Sequence, residues 1–330
     1  MMFIIDTVNE GGAHLFYNDT FIRKIMSEYP GEIRAVLNCR ELYRATVIQG
    51  NQFNGFFNLF YLVIRSRPKK IIFLAVNIKS LLFGALLSVF GLKVFAHTHS
   101  FLQNLLQGRY KHRAAILLYL TAGGAFLVNS SGIARRARTI VPYFASRFIN
   151  IGHPLRVVDR MMFKKGEKIH IGFLGSVHEN KGIEKFLRLQ SLHGQKYIFS
   201  VNGTNLGHAS TASFYGLNLT EKDYIKFLTS VDILFCFYPP NNYNLYPSGT
   251  VLDGLAAAQP MLCSDTAFVR DVFSEHADKF IFPEAELDRI FEDPALLLAT
   301  IEGQRAVLSG VLREKRQELE FIDFGKLLCG

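Results

Sequence analysis

A chain of 330 residues that is 49% hydrophobic and 20% charged is long enough for two ordinary domains and too apolar to be disordered. Its four cysteines, Cys39, Cys236, Cys263 and Cys329, are scattered, which argues against a disulfide framework or a CxxC metal site and fits reduced, cytosolic chemistry. The net charge of +9 is unevenly carried: residues 1–150 hold 18 Lys and Arg against 6 Asp and Glu, residues 151–330 hold 19 against 22, and no acidic residue stands between Glu41 and Asp159. Such a field attracts a polyanion or an anionic bilayer. Nucleic acid is not expected as a partner, since no RNP-like aromatic motif, zinc-finger spacing or recognition-helix signature accompanies the charge and tryptophan is absent.

The N-terminal MMFIIDTVNEGG has no basic n-region and meets acidic residues at once, so it reads as a first strand entering a glycine turn rather than a secretory signal. A helical run, FYNDTFIRKIMSEY, follows, then strand candidates EIRAVLN, KKIIFLAV, LKVFAHTH and GAFLVNSS. The apolar stretch from Ile71 to Phe90 is long enough for a membrane span but is broken by Asn77 and Lys79; it reads as a buried strand, a polar turn and an apolar helix ending at Gly91. Pro142, Gly152, Pro154 and Gly166 mark Val141–Lys168 as irregular. A second series then runs through KIHIGFLG, a helix from about Lys181, QKYIFSVNG, SFYGL, the helix TEKDYIKFLTS, the strand VDILFCF, the loop YPPNNYNLYPSG, the helix TVLDGLAAA and the strand QPMLCS. A helical run at Glu302–Leu319, polar enough for the surface, closes the chain. Strands alternating with helices in two such series predict an α/β fold of two Rossmann-like domains facing one another across a cleft. The expected division is an N-terminal domain over 1–150, a linker over 151–167, a second domain over 168–302, and a helical segment over 303–330 that packs back on the first domain.

Ligands of parallel sheets gather at the carboxyl ends of the strands, and three stretches there carry polar groups. In PSGTVLDGLAAAQP, Gly249 permits close backbone approach, Ser248 and Thr250 can cap the helix or bind phosphate oxygens, and Asp253, a turn further on, suits two vicinal hydroxyls. Capping plus a favourable acidic side chain near the helix start explains the same residues equally well. In FLGSVHENKGIEKF, Gly175 follows a strand and Lys181 stands at a helix start, where a cation does nothing for the helix itself and suggests an anion nearby. In the first half, Gly11 and Gly12 turn between strand and helix, either as a tight turn or as a contact with ligand. His97 and His99 end a strand two residues apart. No third ligand of suitable spacing accompanies them, so a metal pair is disfavoured.

Taken together, Gly11-Gly12-Ala13, AHTHSF, GSVHENKG, VDILFCFYP and LDGLAAAQPMLCSD, in that order over nearly the whole chain, resemble the large retaining group of GT-B glycosyltransferases. The resemblance implies a nucleotide-sugar donor, UDP- or GDP-linked, and no cofactor. It implies that Asp253 holds the donor ribose, that the Gly11-Gly12 loop lies under the donor phosphates, and that His99, or else His97, meets the donor sugar; the donor phosphates are left to Gly175, Lys181 and the Ser248-Gly249-Thr250 loop, a grip of this chain's own. Two positions depart from that family: its glutamate eight residues before the ribose carboxylate is Leu245 here, and its donor arginine is Ser176.

The expectation is therefore a glycosyltransferase that passes a sugar from a nucleotide diphosphate sugar to an acceptor hydroxyl, in polysaccharide, lipopolysaccharide or glycolipid assembly. No DxD occurs in the sequence, and metal-independent transfer is expected. RYKHR and the run Arg135, Arg136, Arg138 flank the apolar AAILLYL, which suits a lipid-linked or glycan acceptor at an anionic membrane and a peripheral place on its inner face. A nucleotide-sugar epimerase or phosphorylase of the same fold, and a non-catalytic sugar-nucleotide-binding partner of a membrane complex, are the rival readings.

Overall fold

The computed structural model describes residues 1–6, 15–29, 31–37, 47–49, 56–98, 101–156, 158, 168–175, 181–202, 204–205, 219–239, 244–245 and 247–320. Two compact units divide it, one built on Met1–Pro154 and the other on Leu155–Asn244 with Ser248–Glu318.

In the first unit the elements run β1 (Met2–Asp6), α1 (Leu15–Glu28), β2 (Ile33–Leu37), β3 (Val47–Gln49), α2 (Phe56–Ser66), β4 (Lys70–Phe73), α3 (Ile78–Val89), β5 (Lys93–His97), α4 (Tyr110–Thr121), β6 (Ala125–Val128), α5 (Ser131–Ile140) and β7 (Phe148–Asn150). Among the described residues the strands form one parallel sheet in the order β3-β2-β1-β4-β5-β6-β7, a doubly wound arrangement that reverses between β1 and β4. The central strands β1 and β4 are buried along their whole length, as expected where helices cover both faces. The apolar run after Ile71 divides as its polar residues require. Asn77 forms a capping box with Ser80, accepting from its N–H at 2.9 Å while its own N–H donates to the Ser80 hydroxyl at 2.8 Å, and α3 starts there. α3 and α4 lie close enough that a Cβ on Gly84 would stand 2.9 Å from the Tyr119 ring. Tyr119 is fully buried, with its hydroxyl against the carbonyls of Val94 and Ala125; burial drives its pKa far above the usual phenol value. Strand β7 falls within the stretch expected to be irregular: three residues carry little periodic signal, and its place is fixed by tertiary packing of Phe148 flat against Phe126.

The second unit runs β8 (His170–Phe173), α6 (Ile183–His193), β9 (Ile198–Val201), β10 (Thr204–Asn205), α7 (Glu221–Ser230), β11 (Ile233–Cys236), α8 (Gly249–Ala256), β12 (Met261–Cys263), α9 (Ala267–Phe273), α10 (Glu284–Glu292) and α11 (Pro294–Glu320). Its described strands order as β10-β9-β8-β11-β12, parallel except for β10 against β9, so direction of winding reverses between β8 and β11. Phe186 of α6 sits at the centre of the core, with the rings of Phe173, Phe199 and Phe235 all 5.4–5.5 Å from its own. α11 starts at Pro294, eight residues before the expected run. Length and composition alone would let Pro294–Leu319 cross a membrane. Its stripe Leu297, Ile301, Gln304, Leu308 and Val311 is, however, buried in the protein, at the spacing of one helical face. Gln304 finishes the sheet: its Oε1 accepts from Met261 N–H at 2.7 Å, and its Nε2 donates to the carbonyls of Met261 and Lys279 at 2.9 and 2.7 Å. The side-chain amide thereby satisfies the backbone of Met261, while Cys263 further along β12 pairs with the Phe280–Phe282 segment through a parallel bridge.

Candidate functional site

In the second unit the winding reverses between β8 and β11, and their carboxyl ends are where such a sheet binds ligand. β8 leads through Leu174 to Gly175, whose φ of +106° favours glycine. Asn202 grips that turn from both sides, accepting from Gly175 N–H at 2.8 Å and donating to its carbonyl at 2.7 Å. Residues 176–180 lie outside the described residues, and the chain resumes at Lys181. Gly182 then caps α6 in the left-handed region, φ +78°, and a Cβ there would lie 1.8 Å from the carbonyl oxygen of Phe237. Only glycine lets the start of α6 come this close to the end of β11. Lys181 is carried with it and its ammonium stands 5.6 Å from the centre of the Tyr238 ring. Burial lowers the pKa of Lys181 to about 8, against a smaller opposing influence of Cys236.

Tyr238 links Lys181 to the start of α8. Its hydroxyl shares a short hydrogen bond with the Ser248 hydroxyl, and Ser248 is the helix cap, accepting from Val251 N–H at 3.3 Å. Ser248 is fully buried. Thr250 is buried too, its hydroxyl donating to the Leu174 carbonyl at 3.1 Å. Both hydroxyls are thus committed to capping and packing, the structural alternative open to them in the sequence, and what the loop offers an anion is backbone. Gly249 is exposed, and a Cβ on it would meet nothing within 4 Å; its N–H and that of Thr250 are among the first donors of α8, which have no acceptor inside the helix.

One turn along α8, Asp253 is held by two residues that the sequence did not bring forward. Arg156 donates from Nε to Oδ1 at 3.0 Å and also pairs with Glu221, while the Tyr224 hydroxyl donates to Oδ2 at 2.7 Å. Arg156 lies 5.5 Å from the centre of the Tyr224 ring. Burial raises the Asp253 pKa, and Arg156 and Tyr224 work against that rise; Tyr224 goes well above its ordinary value through burial and the neighbouring carboxylate. Each carboxylate oxygen has a second lone pair, so the clamp fixes the carboxylate without exhausting its capacity to accept.

Gly175, Lys181, Ser248, Gly249, Thr250 and Asp253 thus come together on one unit, linked through Tyr238, the Thr250 to Leu174 bond and the turn of α8. The other candidates belong to the first unit. Gly11, Gly12 and His99 lie outside the described residues, as does Ser176. His97 is wholly buried, one ring nitrogen 2.9 Å from the Leu74 carbonyl and the other 2.7 Å from Asn129 Oδ1. Its imidazole ties β5 to its neighbours, which is the packing role left open for it, and turns neither nitrogen to solvent. Leu245 is buried, and its N–H donates to Gln103 Oε1 at 3.0 Å.

No family model matches the chain, and no curated protein matches it in sequence. Its fold is shared with solved structures over nearly the full length. Anabaena HepE in complex with UDP-glucose is 11% identical, with 98% of this chain and all of that one covered at a TM-score of 0.60. A glycosyltransferase from Rickettsia africae is 10% identical, covering 97% of each chain at 0.58. The UDP-GlcNAc 2-epimerase of Neisseria meningitidis bound to UDP-GlcNAc is 10% identical, covering 100% and 99% at 0.56. At such identities the likeness is one of fold, and it is the α/β fold of GT-B type expected from the sequence.

Proposed function

We propose that this chain is a glycosyltransferase whose second unit binds a nucleotide diphosphate sugar and delivers its sugar to an acceptor hydroxyl. The observation that carries the reading is the meeting, at the carboxyl ends of β8 and β11, of a cation, a helix start and a clamped carboxylate. Those three groups match the three parts of a nucleoside diphosphate. Lys181 and the first amides of α8 face the diphosphate, and Asp253 accepts from the ribose hydroxyls. As the bond from the anomeric carbon to the diphosphate breaks, negative charge grows on the leaving oxygen; a lysine and fixed amides already in place stabilise that charge more in the transition state than in the bound donor. No divalent ion is required in this scheme, because the diphosphate charge is met by protein groups.

The donor is taken to be UDP-linked, since the fold is shared with HepE in complex with UDP-glucose, with GDP as the second choice. His99, with Gly11 and Gly12, is assigned to the donor sugar and phosphates on the strength of the family resemblance. The acceptor is a glycan or a lipid-linked sugar, and the enzyme works at the inner face of the cell membrane, drawn there by the charge of its first half. The shared fold with an epimerase supports a second reading, in which the sugar leaves and returns without an acceptor. Incubation with UDP-glucose, UDP-GlcNAc and their GDP counterparts, followed by analysis of products, tests both. Sugar found on an added acceptor or released to water with free UDP supports transfer; an epimerised sugar nucleotide in place of these overturns it.

A further inference from the structure

On a helix packed against a sheet, the outward face is ordinarily polar. α3 breaks that rule. Leu82, Leu86, Val89 and Phe90 are all exposed, Val89 and Phe90 by 72% and 66%, and their spacing of four and three residues lays them in one stripe along the helix. The neighbouring α4 repeats the pattern with Tyr110, Leu117 and Leu118, of which Tyr110 is 85% exposed. The two helices pack together through Gly84 and Tyr119, so both stripes belong to adjoining helices of one unit. Exposed apolar residues are common singly, whereas seven on two adjoining helices make a patch with a purpose.

The charge around the patch selects its occupant. Lys79 precedes the stripe on α3, Arg109, Lys111 and Arg113 surround Tyr110, and all four are exposed. Phe90, at the far end, also walls an open cleft of ≈ 680 Å³ lined by Lys69, Lys70 and Lys93. No carboxylate occurs anywhere from residue 42 to 158. An apolar stripe flanked by exposed cations, with aromatic residues at its ends, fits a surface that is apolar within and anionic at its rim.

We propose that the outer face of α3 and α4 docks on an anionic lipid bilayer, its leucines, Val89, Phe90 and Tyr110 entering the headgroup layer while the flanking lysines and arginines meet lipid phosphates. This deepens the membrane placement proposed above and rests on it, but not on the chemistry of the nucleotide site. The test is flotation of the full chain with vesicles of phosphatidylcholine alone and of phosphatidylcholine mixed with phosphatidylglycerol. The wild type floats with the mixed vesicles and not with the neutral ones. Replacing Arg109, Lys111 and Arg113 together by Gln weakens partition on the order of 100-fold, and Leu86→Ser with Val89→Ser weakens it on the order of tenfold. Both variants change exposed positions, keep the wild-type circular dichroism, and retain the rise in melting temperature caused by UDP. Equal flotation of wild type and variants overturns the proposal, as does absence of flotation with mixed vesicles. A dimer of the wild type that the Leu86 and Val89 variant abolishes, without vesicle binding, overturns it in favour of a second copy of the chain. A protein that floats as expected but answers to no nucleotide keeps its docking face and removes only the transferase reading.

Discussion

Raising the pH through the titration of Lys181 perturbs the diphosphate site without altering a residue. Burial brings this lysine from 10.5 to about 8. At pH 7 about nine molecules in ten carry the ammonium and at pH 9 about one in ten, so a diphosphate held by the charged form alone loses about tenfold in affinity over that interval. Binding also draws the proton back: at pH 8.5, roughly 0.8 proton is taken up per ligand. Stability of the unliganded protein has the opposite slope. Because the pKa is lower folded than unfolded, the unfolded chain holds the extra proton between about 8 and 10.5, and this group's contribution to folding stability rises with pH across that window. Calorimetric titration with UDP-glucose from pH 7 to 9, in buffers of different ionisation enthalpy, reads affinity and proton uptake together. Lys181→Met supplies the control, since any pH dependence left in that variant belongs to the nucleotide or to other groups. An affinity that stays level from pH 7 to 9, or binding without proton uptake at pH 8.5, would refute the placing of a diphosphate against Lys181.

Asp253→Asn keeps the shape of the clamp but removes the charge that Arg156 faces at 3.0 Å; UDP affinity is expected to fall by about 1.5–3 kcal/mol, the worth of a hydrogen bond to a charged group, and 2′- and 3′-deoxy analogues should lose much less on the variant than on the wild type. Gly182→Ala combines a left-handed backbone with a Cβ placed on the Phe237 carbonyl, and should cost about 2–5 kcal/mol in urea unfolding together with nucleotide binding. Gly303→Ala, in the exposed interior of α11 with nothing within 4 Å, should by contrast stabilise by about 0.5–1 kcal/mol. Gln304→Leu strips three hydrogen bonds from buried backbone at the edge of β12 and should cost about 3 kcal/mol, measured by the same unfolding.

Much of the sheet was legible because its strands are short apolar runs bounded by turn residues: MFIID, KIIF and ILFC occupy β1, β4 and β11 as their composition suggests. Helix starts were equally plain where a capping side chain announced them, as at Ser248 for α8 and Thr220 for α7. What escaped the reading is held by distant partners. β3 and β7 are three-residue strands whose register comes from the neighbours they pair with. α9 and α10 are short amphipathic turns past the last recognised strand, with signals too brief to separate from loop. At the site, the residue types at the helix start were readable, but their uses were not, since whether Ser248 caps or binds depends on Tyr238 ten residues away. Arg156 and Tyr224 reach Asp253 across 97 and 29 residues, and no local pattern encodes such a meeting. A carboxylate on a helix as apolar as α8 does demand a donor, and that demand is the one local signal of Arg156 and Tyr224.

The proposed transfer requires the second unit to hold a nucleoside diphosphate. Measuring the melting temperature of the wild type, Lys181→Met and Asp253→Asn against UDP-, GDP-, ADP- and CMP-sugars is the most direct trial, because a ligand of the native state raises its apparent stability. At least one diphosphate sugar, UDP-linked first, is expected to raise the wild-type midpoint, the CMP-linked monophosphate to do so least, and both substitutions to suppress the rise. A wild type indifferent to every member of the panel, or a rise that both variants share in full, would contradict the proposed transfer.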